Sequence, residues 1–129
     1  LDASFAIEAL LDGGSHFERW ADWAREGRTR LVPPHFWAEL ANALLLGRRF
    51  EPGRAALTVA ATARAGVETA DRGIAGVVDA LDLAARHRLT VYDALYLQLA
   101  ADVDAELATL DRDLARAARA EGIEVAPGA

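Results

Sequence analysis

Short β-type runs recur along this chain with a helix-length stretch between each pair, and that alternation limits the folds open to it. "TRLVPP" is stopped by Pro33–Pro34, and "VET", "ELATL" and "IEVA" follow, each separated from the last by helical periodicity and a brief connection. Strands joined through helices over short connections lie parallel, and helices then cover both faces of the sheet. The expectation is an α/β fold, a three-layer α/β/α sandwich around a mainly parallel central sheet, in a single domain over residues 1–129. Leu1 reads as the last residue of a further strand. The chain has no Met, which predicts that Leu1 is not the translated start and that this first strand is truncated.

The helical segments carry their own boundary signals. "SFAIEALLDGG" is a short helix ending in Gly13–Gly14. "SHFERWADWAREG" opens with Ser15 and Glu18 at capping-box spacing and closes on Gly27, with Phe17, Trp20, Ala21 and Ala24 on one face. "HFWAELANALLLGRRF" is a long helix, and "PGRAALTVAATARAG" is another, started by Pro52 and ended by Gly66. Residues 73–87 are helical, with Ile74, Val77, Val78, Leu81 and Leu83 to Ala85 expected in the core. "TVYDALYLQLA" gives the next helix and "DRDLARAARAEG" the last. No internal repeat, linker or low-complexity segment interrupts the pattern.

Composition removes several chemistries. Hydrophobic residues make up 53% and charged residues 26%, enough apolar material for a folded core. With no cysteine there is no disulfide, thiol nucleophile or Cys-based zinc site. All 14 basic residues are arginines, so a P-loop and a Schiff-base lysine are both excluded. No apolar run spans a bilayer and no signal peptide is visible, which makes a cytoplasmic protein without membrane contact the simplest expectation. The net charge of −6 argues against nonspecific nucleic-acid binding. That weakens if four of the 20 acids share one metal site, since 20 − 4 = 16 then face 14 arginines.

In open parallel sheets, ligands bind beyond the carboxyl ends of the strands. Asp2 follows Leu1 there, Asp111 follows "ELATL", Asp93 opens a helix after "RLTV", and Glu39 lies one turn into the helix after "TRLVPP". Each has a second explanation. Asp111 before "RDLARAA" is an N-cap candidate, Asp2 can cap the first helix, and Thr90 with Asp93 has capping-box spacing. Glu39 can be a solvated helix residue, although Trp37, Leu40 and Ala41 beside it are apolar. Asn42, the only Asn, lies on the face of Glu39, so the two are read as sharing a task or as a buried hydrogen-bonded pair. Four acids in one place repel one another unless a cation sits among them, and oxygen-only ligands favour hard cations such as Mg²⁺ or Mn²⁺. Such cations activate water and neutralise a phosphoryl group, so phosphodiester hydrolysis is the reaction class to test first.

"LDAS" at 1–4, "PHFWAELANAL" at 34–44, "LTVYDALYLQLA" at 89–100 and "LATLDRDLARAA" at 107–118 occur in that order. Together they resemble the PIN-domain ribonucleases, especially the VapC toxins of toxin–antitoxin pairs, over essentially the whole chain. The family's four acids fall on Asp2, Glu39, Asp93 and Asp111, its small hydroxyl residue on Ser4, its threonine on Thr109 and its accompanying asparagine on Asn42. The resemblance implies a Mg²⁺- or Mn²⁺-dependent endoribonuclease in which water attacks in line and leaves a 5′-phosphate and a 3′-hydroxyl. It also implies a homodimer and a cognate VapB-like antitoxin. The chain departs from the family in having only Leu1 ahead of the first acid, which brings a terminal amine close to the expected metal site.

Two other functions compete. "DRD" at 111–113 resembles an Asp-x-Asp phosphatase nucleophile, but that motif belongs on a first strand with a supporting lysine. A non-catalytic PIN-like binding module is the other, and the presence of all four acids counts against it. His16, His35 and His87 lack ligand spacing and read as surface or structural. Arg112, Arg116 and Arg119 form a stripe that reads first as a solvated face and second as a track for RNA, and Arg48, Arg49 and Arg54 are read with the same caution. Core packing is the first explanation of Trp20 and Trp23. With Phe17 they also give more aromatic area than one short helix needs, which predicts a groove there for an apolar antitoxin segment. A basic antitoxin side chain is expected at the acids.

Overall fold

The computed structural model describes residues 1–12 and 14–126. Its helices are α1 (Ala3–Ile7), α2 (Gly14–Arg25), α3 (Phe36–Asn42), α4 (Pro52–Arg64), α5 (Gly73–His87), α6 (Val91–Asp102) and α7 (Arg112–Ala120). The strands are β1 (Arg30–Val32), β2 (Val67–Thr69), β3 (Leu107–Ala108) and β4 (Val125–Ala126). The first and third helices run on as π-helical turns, Glu8–Asp12 and Ala43–Gly47. Among the described residues, no helix is long and apolar enough to cross a membrane.

The expected α/β architecture is present, with every strand pair parallel. β1 pairs with β2, Arg30 opposite Val67, and β3 pairs with β4, Leu107 opposite Val125. Residues 1 and 2 lie between the two ladders. The Leu1 amine donates to the Leu31 carbonyl at 3.3 Å, and the Asp2 N–H donates to the Ala108 carbonyl at 3.0 Å. Successive N–H groups therefore point to opposite sides and link the two two-stranded sheets, although residues 1–2 form no strand of their own. The spatial order is β2, β1, residues 1–2, β3, β4. Asp2 therefore leaves the middle of the sheet at its carboxyl end.

The core gathers Phe5, Val32, Phe36, Leu40 and Leu44 with Leu97, Leu107 and Leu114 from the far end of the chain. Gly66 ends α4 with φ 84°, as its position predicted. A Cβ at Gly66 would stand 2.6 Å from Nη2 of the buried Arg30, whose guanidinium donates to the Ala65 and Arg28 carbonyls and stacks on Trp20.

Three details differ from the sequence expectation. Helix α2 begins at Gly14, so Ser15 lies inside its first turn and is not the cap; Gly13 is outside the described residues. The face α2 buries carries Trp20 and Trp23, 5% and 6% exposed, while Phe17 is 48% exposed. Trp23 packs on Phe5 at 5.3 Å and Trp20 lies under Arg30, so the larger rings take the core positions, and Trp23 also lines a cavity with Leu31, Tyr96, Leu99 and Val103. In α5 the expected core positions hold at Leu83 and Ala84 and fail at the others. Gly76, Ala80, Leu83 and Ala84 are buried, whereas Ile74, Val77, Val78, Leu81 and Ala85 are exposed. Small residues at 76, 80 and 84 recur every four positions, which lets α5 approach α6 closely and turns its larger apolar side chains outward.

Candidate functional site

All four candidate acids sit at the N-terminal end of a helix. Asp2 is the N-cap of α1 and Asp111 of α7; Glu39 lies in the first turn of α3 and Asp93 in that of α6. The partial positive charge of a helix N-terminus favours a carboxylate in each place. Asp2 is buried, Glu39 and Asp93 are half-buried, and Asp111 is exposed.

Asp2 is the most tightly held. Its Oδ1 accepts from the Phe5 N–H at 3.1 Å and from the Ser4 hydroxyl at 2.6 Å, and its Oδ2 accepts from the Thr109 hydroxyl. Both hydroxyls also accept from the turn that follows β3. The Leu110 N–H reaches Ser4 Oγ at 3.0 Å, and the Asp111 N–H reaches Thr109 Oγ1 at 3.0 Å. Ser4 and Thr109 thus tie the first acid to the last. Burial pushes the Asp2 carboxyl above its usual range, opposed by Ser4, Thr109, the Phe5 N–H and the terminal amine. Burial lowers the Leu1 amine to about 6, opposed by Asp2.

Asp93 is not the cap of its helix. Thr90 is, accepting from the Asp93 N–H at 3.1 Å, so the carboxylate is not needed for capping. Burial raises its pKa first, and the charges of Asp111, Glu39 and Asp2 raise it further, against an opposing hydrogen bond with Thr90. Asp93 is therefore within electrostatic reach of three acids distant from it in sequence. Asp111 meanwhile accepts from the Leu114 N–H at 2.9 Å.

Glu39 is held by a residue that the sequence did not single out. The Tyr96 hydroxyl donates to Glu39 Oε1 at 2.5 Å, and His35 Nε2 lies 2.8 Å from the Tyr92 carbonyl and 3.5 Å from Glu39 Oε1. The His35 and Tyr96 rings pack with centroids 4.8 Å apart. Tyr96 stands three residues after Asp93, on one face of α6, and that spacing was the available signal. Asn42 does not join this group: it is exposed, and its side chain does not cap the π-helical turn after it.

Among the described residues, no three His, Asp or Glu side chains stand close enough together to grip one ion. The donor set nonetheless suits a hard divalent cation, being oxygen-only, with Asp93 raised in proton affinity first by burial and then by the charges of the other three acids. The other motifs fall elsewhere. Asp113 is exposed and 3.5 Å from Arg116, which runs against an Asp-x-Asp nucleophile. Arg112, Arg116 and Arg119 are exposed; Arg48 pairs with Asp12 through two contacts of 2.7 and 2.6 Å, and Arg54 lies over Phe50.

The family model described as PIN domain matches residues 1–120 of the chain. No curated protein sequence matches it.

Proposed function

The chain belongs to the PIN-domain family, whose fold is of nuclease type, and from that premise we propose that it is a Mg²⁺- or Mn²⁺-dependent endoribonuclease of the VapC toxin kind. The observation that carries this is the placement of Asp2, Glu39, Asp93 and Asp111 at the N-terminal ends of four helices, with Asp2 tied through Ser4 and Thr109 to the turn that carries Asp111. Asp2, Glu39, Asp93 and Asp111 are the residues that would hold the cation. Once bound, it would supply a water of lowered pKa and neutralise charge on the phosphoryl oxygens. Ser4 and Thr109 keep the Asp2 carboxylate aimed by occupying it from both sides, and Thr109 sets the Asp111 backbone at the same time. Four negative charges also keep an RNA phosphate out until they are neutralised, so catalysis and substrate entry share one requirement.

RNA cleavage that needs Mg²⁺ or Mn²⁺, stops with EDTA, leaves 5′-phosphate and 3′-hydroxyl ends and disappears in Asp93→Asn is the expected result. Cleavage that persists in Asp93→Asn would remove the acid cluster from the mechanism. A non-catalytic RNA- or protein-binding module is the second reading, favoured by the open spacing of the acids. RNA retention without turnover at saturating cation would select it.

A cytoplasmic location, a homodimer and a VapB-like antitoxin belong to this proposal. Trp20 is in the core, while Trp23 lines a cavity with Leu31, Tyr96, Leu99 and Val103 that is compatible with an apolar antitoxin segment. The exposed apolar side chains Ile74, Val77, Val78 and Leu81 of α5 support a second apolar partner surface.

A further inference from the structure

We propose that Tyr92 is a stacking platform for an unpaired base of the RNA, which lays a single strand beside Asp93 and makes single-stranded RNA the substrate the site accepts. This rests on the ribonuclease reading above and concerns which form of RNA that site takes.

Tyr92 lies in the first turn of α6, directly before Asp93, and is 64% exposed. Among the described residues, the other large aromatic side chain that is mostly free of the core is Phe17 on α2, which adjoins none of the four acids in the chain. An exposed tyrosine on its own is ordinary surface. This one is held by its neighbours. His35 Nε2 lies 2.8 Å from the Tyr92 carbonyl, and the His35 ring stands 5.9 Å from the Tyr92 ring at 48°. His35 in turn packs at 4.8 Å on Tyr96, which is 2% exposed. Tyr92 is thus tied to the core through His35 while most of its own surface stays open, so a base that stacks there meets a surface already ordered.

The charges around it explain why such a contact is needed. Those acting on Asp93 come from Asp111, Glu39 and Asp2, and all are negative. A phosphate approaching this end of the sheet gains nothing from them, so the hold on the strand here has to come from an uncharged contact. Stacking of a base on an aromatic ring is such a contact, worth roughly five- to 150-fold in binding per base. Bases inside a duplex are already paired and stacked on each other, so only an unpaired one can turn out onto a side chain. Asp93 is the next residue, so a nucleotide stacked on Tyr92 keeps its backbone close to the acids.

The test measures, by fluorescence anisotropy in Mg²⁺, binding of a labelled single-stranded RNA of mixed sequence and of the same strand annealed to its complement. Asp93→Asn is the parent, so that bound RNA is not cut, and Tyr92→Leu, Tyr92→Phe and Tyr92→Trp are made in it, each checked by its melting temperature. Tyr92→Leu should weaken binding of the single strand about tenfold, and leave the duplex and the slope of affinity against salt unchanged, because the lost contact carries no charge. Tyr92→Phe and Tyr92→Trp keep a ring and should stay within about threefold of the parent. A loss in Tyr92→Phe equal to that in Tyr92→Leu would assign the effect to the hydroxyl, and an equal loss on the duplex would assign it to structure. Either overturns the inference, as does no loss in Tyr92→Leu. Should Tyr92→Leu fail to fold, weaker binding by both Tyr92→Phe and Tyr92→Trp overturns it. A parent that binds no RNA overturns it too, while the ribonuclease reading falls only if the wild type also fails to cleave.

Discussion

Replacing Thr109 by Val keeps the shape of a buried side chain and deletes one hydroxyl. That hydroxyl donates to Asp2 Oδ2 and accepts from the Asp111 N–H. Losing a hydrogen bond to a charged group costs about 1.5–3 kcal/mol, and stranding a buried donor adds about 1–3 kcal/mol. Asp111 is exposed, so water replaces part of the second loss. The expected destabilisation is about 2–4 kcal/mol in EDTA at pH 8, a fall in Tm of roughly 10 °C for a domain of this size.

The pH dependence separates this cause from simple loss of packing. Burial already raises the folded-state Asp2 carboxyl above its ordinary 3.8, and Thr109 opposes that rise. Without Thr109 the folded value climbs further while the unfolded value stays put. Between the two values the folded chain binds more protons than the unfolded chain, so stability falls as pH rises through that window and levels off above it. The penalty of Thr109→Val is therefore largest at pH 8 and smaller at pH 5, where Asp2 is closer to protonation. Urea unfolding of both proteins at the two pH values measures it. An equal loss at both would refute the assignment of Thr109 as a donor to an ionised Asp2.

Asp93→Asn should leave stability in EDTA at pH 7 unchanged or raise it by no more than about 1 kcal/mol. It relieves repulsion at a half-buried, partly screened group and spares the Thr90 cap; a calorimetric melt reads this, and a clear loss would make the carboxylate structural. Gly66→Ala should destabilise by about 2 kcal/mol or more in urea unfolding, since an L side chain at φ 84° costs about 1–2 kcal/mol before the contact with Arg30 is counted. Trp23→Ala should cost about 3–5 kcal/mol in the same assay and Phe17→Ala under about 0.5 kcal/mol, which checks which face of α2 is the core.

Elements with local punctuation were legible before any coordinates. Pro33–Pro34 marks the end of β1, Pro52 the start of α4 and Gly66 its end, because fixed φ and positive φ act on the residue itself. The orientation of α5 was not legible. Ile74, Val77, Val78 and Leu81 form a regular apolar stripe, and periodicity alone assigns such a stripe to the core. Close packing against α6 required Gly76, Ala80 and Ala84 inside, and that depends on the neighbouring helix. Trp20 and Trp23 were ambiguous for a related reason, since ring size favours core and interface alike. In the site, the four acids and the Ser4 and Thr109 hydroxyls could be named, while the link from Tyr96 to Glu39 joins residues distant in sequence and becomes visible only when α3 and α6 meet.

For Asp2, Asp93 and Asp111, capping and the proposed chemistry are compatible roles. A carboxylate that is partly buried and placed near three others is destabilised by lost hydration first and by repulsion second, and both raise the Asp93 carboxyl. Setting each at a helix N-terminus offsets part of that cost, because unpaired N–H groups and the helix dipole favour negative charge there. Asp2 and Asp111 spend one oxygen on a backbone N–H and keep lone pairs for other partners, since an ionised carboxylate has about four acceptor sites. Asp93 is freed from capping altogether by Thr90. Four helices that begin at one side of a parallel sheet thus provide four places where acids are tolerated without a cation. A fold that holds its acids in this way would stay folded whether or not the proposed cation is bound, and the stability of Asp93→Asn in EDTA tests that independence directly.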